Sequence, residues 1–207
     1  MLLSFLYNKI NKISDRRIYL SLSQIQNLNF RTAINQDISA ICAIHNVNVR
    51  SKATSTQQGF LLCEVTEDEL LKKQEEEVQY FVATGTSNEI LGYIAVSTPR
   101  ITSDFLEQVY WEDDTYKNLV TRDGNRYIQV VAVRPEHTSQ GIARFLYESL
   151  YHEFPDSFFT AFVVTKPVKN LRSLDFHNKQ GFQKIGTIQL EQFLDMKDYE
   201  SVLLLKE

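Results

Sequence analysis

The run Val131-Ala132-Val133-Arg134-Pro135-Glu136-His137-Thr138-Ser139-Gln140-Gly141-Ile142-Ala143 decides how this chain is read. A β-branched apolar segment stops at Pro135, passes through a short polar turn and reaches two small residues, Gly141 and Ala143, where a helical pattern begins. The spacing predicts a strand, a tight loop and a helix N-terminus whose first backbone N–H groups have no partner within the helix. Unpaired donors and the positive end of the helix dipole converge there, so an anion can be held without side-chain charge. A larger side chain than those of Gly141 and Ala143 would hold a diphosphate off the backbone. The loop points to a phosphate-bearing ligand.

Working outward, Ile142, Phe145, Leu146, Ser149 and Leu150 fall on one face of the helix that follows. A strand is predicted at 158–164, a short helix near 170–180 with Gly181 placed to stop it, and closing strands at 182–190 and 201–205. Upstream, a strand at 28–32 precedes Asn35, a candidate N-cap, and a helix carrying Ile38, Ile41, Cys42 and His45. Thr66 with Glu69 three residues on matches a capping box and opens a second, strongly charged helix, read as a solvated face. Strands at 80–83 and 90–96 flank a turn-rich connection, and Asp123-Gly124 leads into the strand at 127–133. Residues 98–126 read as irregular, with an amphipathic patch around 105–111. The order β-α-α-β-β-β-α-β-α-β-β predicts a mixed α/β sheet, in a domain at 27–207 preceded by an N-terminal extension at 1–26.

The chain has 207 residues, enough for one sizeable core. A formal charge of −4 gives no support for nucleic acid as the main partner. Cys42 and Cys63 have no ligand-like spacing, which argues against a zinc site or a disulfide framework and fits a reducing compartment. The apolar start at 1–7 is broken by Asn8 and Lys9, too short for a membrane span and unlike a signal peptide. The expected setting is cytoplasmic, with no membrane partner.

A second segment, Asn170-Leu171-Arg172-Ser173-Leu174-Asp175-Phe176-His177-Asn178-Lys179-Gln180-Gly181-Phe182, must be read with the first. The two resemble, in order and separation, the acyl-CoA loop and the following N-x-x-S-x-x-F-H/Y-x-x-x-G-F helix of the GNAT superfamily of acetyl-CoA-dependent N-acetyltransferases. Phe30-Arg31-Thr32-Ala33 with Asp37, and Gly59-Phe60-Leu61, are similar to the family's opening strand and early helices, so the resemblance covers roughly residues 28–206. It implies a mostly antiparallel central sheet flanked by helices and splayed between the fourth and fifth strands. It also implies acetyl transfer to a primary amine by direct attack on the thioester of acetyl-CoA, with no metal.

On that resemblance, the backbone of Val131, Ala132 and Val133 meets the pantetheine arm, and the N–H groups of Thr138, Ser139, Gln140, Gly141, Ile142 and Ala143 hold the pyrophosphate. Asn170 either reaches the pantetheine or caps its own helix. Ser173 is read as a helix-start residue. His177 stands where many members carry a tyrosine that protonates the departing thiolate, and imidazole chemistry suits that task; packing against a strand is the competing role. The oxyanion falls to a backbone N–H near Val131. Gln129 occupies a position where an acid would serve as base, so Glu64, Glu67 and Tyr127 remain candidates and none is assigned. Thr138 and Ser139 depart from the usual Arg or Gln and Gly of the loop, which removes one cationic contact but leaves the main-chain cradle.

The helix resembles that of enzymes acting on small amino-acid-like amines, which favours a small-molecule acceptor over a protein N-terminus or lysine. The rival reading is a non-catalytic acyl-CoA-binding regulatory module, and a homodimer is left open. His45, His137, His152, Cys42 and Cys63 carry structural readings, the cysteines as small buried residues.

Overall fold

The computed structural model describes residues 28–52 and 59–207; the predicted extension at 1–26 lies outside them. Eight strands form one sheet in the order β1-β2-β3-β5-β6-β8-β7-β4, and every neighbouring pair is antiparallel except β5–β6. The strands are β1 (Asn29–Thr32), β2 (Gln79–Thr84), β3 (Ile90–Ser97), β4 (Val109–Trp111), β5 (Asn125–Val133), β6 (Phe158–Lys166), β7 (Gln183–Phe193) and β8 (Met196–Lys206). The helices are α1 (Ile38–Val47), α2 (Glu67–Glu75), α3 (Ser103–Gln108), α4 (Thr115–Val120), α5 (Ile142–Glu153) and α6 (Leu171–Lys179). The mixed α/β class and the helix-flanked, mostly antiparallel sheet agree with the sequence expectation.

Local chemistry sets the element ends. Thr66 accepts from the Glu69 N–H while the Glu69 carboxylate accepts from the Thr66 N–H, the reciprocal box that opens α2. Asn35 does not cap α1. It starts a 3-10 turn, and Asp37 instead precedes the helix, its carboxylate accepting the Ile34 N–H and pairing with Arg31 at 2.5 Å. The Arg31 guanidinium holds the Asp37 carboxyl below its ordinary range. After α6, Gly181 takes a left-handed φ of 84° and lets the Phe182 N–H return to the His177 carbonyl.

Residues 98–126 are more ordered than their sequence suggests: α3, the edge strand β4 and α4 all lie there. Val109, Tyr110 and Trp111 pair with β7, where Gly186 leaves room for the Val109 side chain. Buried residues gather on both faces of the sheet. Ile94, Ile128, Phe159, Ala161 and Val163 pack with Leu146 and Leu150 of α5 on one face, while Tyr80, Val82, Tyr93 and Ala132 pack with Ile38, Ile41 and Ile44 of α1 on the other.

The site is positioned by where the sheet stops pairing. β5 and β6 share only three register positions, Asn125, Arg126 and Tyr127 opposite Phe158, Phe159 and Thr160. Beyond those rungs, residues 128–133 of β5 and 161–164 of β6 line the two sides of a cleft.

Candidate active site

The cleft has a volume of about 740 Å³ and opens between β5 and β6. Along β5, the Arg134 N–H bonds to the Leu91 carbonyl, one position beyond the Gly92–Val133 pair. Antiparallel partners alternate between bonded and non-bonded pairs. Ala132 and Val130 therefore bond to Tyr93 and Ala95, while the backbone groups of Val131 and Val133 turn away from β3 toward the cleft. The Val133 carbonyl is taken by Asn48 Nδ2 at 3.1 Å. Val131 thus keeps the outward N–H and carbonyl that the sequence assigned to the whole trio, and Ala132 contributes only a buried side wall. Gln129 is an extra residue between Val130 opposite Ala95 and Ile128 opposite Val96, a bulge that re-aims the strand. Its amide donates to Ser97 Oγ at 2.9 Å. Gly92 allows the approach of β3 to this region, since a Cβ there would lie 2.8 Å from the Ala132 carbonyl.

At the far end of β5 the loop forms the cradle. Gly141 has a φ of 87°, in the region glycine favours, and α5 begins at Ile142 with its first helical bond from Phe145 N–H to the Gly141 carbonyl. The N–H groups of Ile142, Ala143 and Arg144 thus precede the first bonded turn. Two of the predicted donors are not available: the Thr138 N–H bonds to the Pro135 carbonyl at 3.2 Å, and the Gln140 N–H points to the His137 carbonyl at 3.4 Å. The 3-10 turn Pro135–His137 consumes them. Gln140 also folds its side chain onto Glu136 and His137, outside the cleft wall, whereas Thr138, Ser139, Gly141, Ile142 and Ala143 line it. Ser139 sits at φ 66°, where a side chain is strained, and its hydroxyl accepts from Arg172 Nη2 of α6 at 3.0 Å. A cation is thereby brought to the loop from another helix.

Asn170 is the N-cap of α6. Its Oδ1 accepts from the Ser173 N–H at 3.2 Å, and its Nδ2 donates to the Phe60 carbonyl at 2.9 Å. Both ends of the amide are engaged within the chain, so Asn170 positions the helix and the Phe60 segment that face the cleft.

His177 is buried at 4% exposure in the wall of the cleft. Its Nδ1 lies 2.8 Å from the Ser173 carbonyl, which can only accept, so Nδ1 carries the proton. Nε2 then accepts from the Tyr147 hydroxyl at 2.9 Å. Burial lowers the imidazole's proton affinity, partly offset by the Ser173 carbonyl, while burial pushes the Tyr147 hydroxyl well above its ordinary value. His45 repeats the pattern on the other face, with Nε2 donating to the Cys63 carbonyl at 3.0 Å and Nδ1 accepting from Tyr93 at 2.6 Å. Sequence reasoning gave His45 a packing role; the structure adds that it lines the cleft.

The base candidates separate clearly. Glu64 pairs with Lys52 at 2.8 Å, and neither it nor Glu67 lines the cleft. Tyr127 does, but burial pushes its hydroxyl up to about 12. Among the described residues lining the cleft there is no carboxylate. Both cysteines differ from expectation: Cys42, within α1, is half-buried with its thiol donating to the Val65 carbonyl, and Cys63 is exposed at the cleft.

The family model for the acetyltransferase (GNAT) family matches residues 50–182, well over half the chain. The chain belongs to the acetyltransferase (GNAT) family. Solved structures agree in fold. An N-acetyltransferase from Staphylococcus aureus Mu50 aligns over 87% of this GNAT protein and 98% of its own chain, at 18% identity and a TM-score of 0.61. A ribosomal-protein-alanine N-acetyltransferase from Brucella melitensis aligns over 86% and 98%, at 18% identity and a TM-score of 0.60. A GNAT superfamily phosphinothricin acetyltransferase from Sinorhizobium meliloti, solved in complex with AcCoA, aligns over 87% and 88%, at 15% identity and a TM-score of 0.59. No curated protein matches this GNAT chain by sequence. The family is one of acetyltransferases, so acetyl transfer is the chemistry against which the cleft is read.

Proposed function

We propose that the protein transfers an acetyl group from acetyl-CoA to the primary amine of a small-molecule or amino-acid-like acceptor by direct attack. One observation carries this reading: the outward-facing backbone of Val131, the open N–H groups of Ile142 and Ala143, and buried His177 line a single cleft. Backbone donors of this kind suit the amide arm and diphosphate of CoA, and Gly141 leaves the approach open. Acetyl-CoA supplies the activated thioester.

His177 is the proton-transfer group of this proposal. Its neutral resting form has a lone pair on Nε2 that accepts from the Tyr147 hydroxyl, so the proton shed by the attacking amine reaches it by relay, the hydroxyl passing its own proton to Nε2 as it takes up the amine's. The same relay returns the proton to the departing sulfur, so the amine loses one proton and the thiolate gains it. A depressed proton affinity keeps the ring ready to accept at neutral pH. The Val131 N–H faces the cleft, where oxyanion charge develops.

A second reading, a non-catalytic acyl-CoA-binding module, is favoured by the lack of a cleft carboxylate among the described residues and by the intrachain engagement of both His177 nitrogens. The two diverge in one assay. Isothermal titration with acetyl-CoA, followed by thiol release across a panel of small amines, amino acids and peptide N-termini, should give binding and turnover on a small amine. Tight binding without thiol release assigns the module; turnover confined to peptides reassigns the acceptor; no binding at millimolar acetyl-CoA overturns both.

A further inference from the structure

Two walls of the cleft are also walls of another cavity. Tyr127 stands on the last rung between β5 and β6, and Phe162 lies two residues beyond its partner Thr160. Their rings meet edge to face with centroids 6.2 Å apart, and Phe105 of α3 packs edge-on against Phe162, also at 6.2 Å. Behind the pair lies a cavity of about 160 Å³ beneath the 98–124 segment, walled by Ile101, Phe105, Val120 and Leu203. Tyr127 and Phe162 line both spaces. The polar groups of the smaller cavity are turned on one another: Thr160 Oγ1 donates to Asn125 Oδ1 at 2.9 Å, and Asn125 Nδ2 donates to the Val120 carbonyl at 2.8 Å. Arg100, exposed to solvent, stands at its edge, and the rest of its wall is mainly apolar; apolar cavities of about 150 Å³ take up hydrocarbons rather than water.

We propose that Tyr127 and Phe162 form a chain-length partition, and that the space behind them receives the end of an unbranched alkyl chain. The proposal rests on the acyl-transfer reading of the cleft. The cleft runs from the Gly141 cradle to the end where β5 and β6 rejoin at Tyr127. A chain extending from the reacting carbonyl, or carried by the attacking amine, ends against this pair. With the rings closed, the partition selects short chains; with Phe162 displaced, the two spaces join. The 98–124 segment thereby acquires a function, because α3 and α4 supply the far walls.

The test is Phe162→Ala, with acetyl-, butyryl- and hexanoyl-CoA titrated calorimetrically against both proteins, and n-hexylamine titrated with and without CoA. Each buried methylene is worth a factor of about four in affinity. Hexanoyl-CoA should gain at least about tenfold over acetyl-CoA in the variant relative to the parent if the chain is carried by the acyl group. A gain confined to n-hexylamine assigns the chain to the acceptor. Adding Ile101→Phe, which fills the cavity from its far wall, should erase either gain. An unchanged profile in both series overturns the partition. Should the alanine variant fail to fold, Phe162→Leu is read in the same way, with a smaller gain expected. Loss of CoA binding by the parent protein refutes the acyl-transfer reading alone, since the n-hexylamine titration without CoA still decides the partition.

Discussion

The Tyr147 hydroxyl and His177 Nε2 lie 2.9 Å apart in the cleft wall, and the Ser173 carbonyl at Nδ1 leaves that pair only one arrangement of protons. The tyrosine donates, the neutral imidazole accepts, and neither group has a spare donor for a ligand at rest. Phe176 and Phe182 hold both rings edge to face, so the geometry is set by packing as much as by hydrogen bonds.

His177→Phe should lower turnover at least about tenfold, the usual size of a lost acid–base contribution, with acetyl-CoA affinity close to the parent value. Leaving the Tyr147 hydroxyl without its acceptor in a buried site should also cost about 1–3 kcal/mol of stability. Steady-state kinetics and calorimetry on the same preparation separate the effects. An unchanged rate alongside the stability loss would assign the histidine to packing.

Stability should fall on mild acidification. His45 and His177 both have proton affinities lowered by burial from the ordinary 6.5, so the unfolded chain binds protons that the folded chain excludes. Their contribution is complete above pH 6.5 and is lost as pH falls from there through the folded-state values, at up to about 1.4 kcal/mol per pH unit for each ring. The carboxyl of Asp37, ordinarily near 3.8, acts only at lower pH. Urea midpoints between pH 8 and pH 5 check this; the slope should be shallower in His177→Phe, and a flat profile in the parent rules out the account.

Much of this was legible in the sequence because it depends on local signals. The Thr66–Glu69 box, the Gly181 stop and the strand–loop–helix around Gly141 each follow from residues within a few positions of one another. The cradle's incomplete donor set was not legible, because whether Thr138 N–H is free depends on a 3-10 turn that its residue type does not announce. Long-range contacts were equally hidden. The Asn170–Phe60, Arg172–Ser139 and His45–Tyr93 bonds join positions separated by 33 to 110 residues. The edge strand β4 carried a usable signal in Val109-Tyr110-Trp111, a β-favouring triplet masked by the helical pattern beside it.

Gly141→Val should abolish acetyl-CoA binding. A β-branched residue is strained at a φ of 87°, and its methyl groups would stand over the open N–H groups of α5. Calorimetry with acetyl-CoA reads the loss, and circular dichroism confirms that the helix persists. Retained affinity would mean that the diphosphate lies elsewhere.

Asn170→Ala should destabilise the protein by about 2–4 kcal/mol, through loss of the cap and of the donor to the buried Phe60 carbonyl. Asn170→Ser restores the cap but cannot span to Phe60, so thermal unfolding should place it between alanine and the parent. Equal stability for serine and asparagine would show that the Phe60 tie contributes nothing.

With only three rungs joining β5 to β6, the two halves of the sheet meet at a seam whose upper part has no backbone ladder. A pantetheine arm laid against Val131 would supply amide groups where the missing rungs belong, making the ligand in effect a ninth strand. Substrate binding and sheet completion then become one event. The Val131 amide, which has no β3 partner, should exchange rapidly with deuterium in the free protein and slow when acetyl-CoA is added, while the neighbouring Ala132 amide, bonded to β3, changes little.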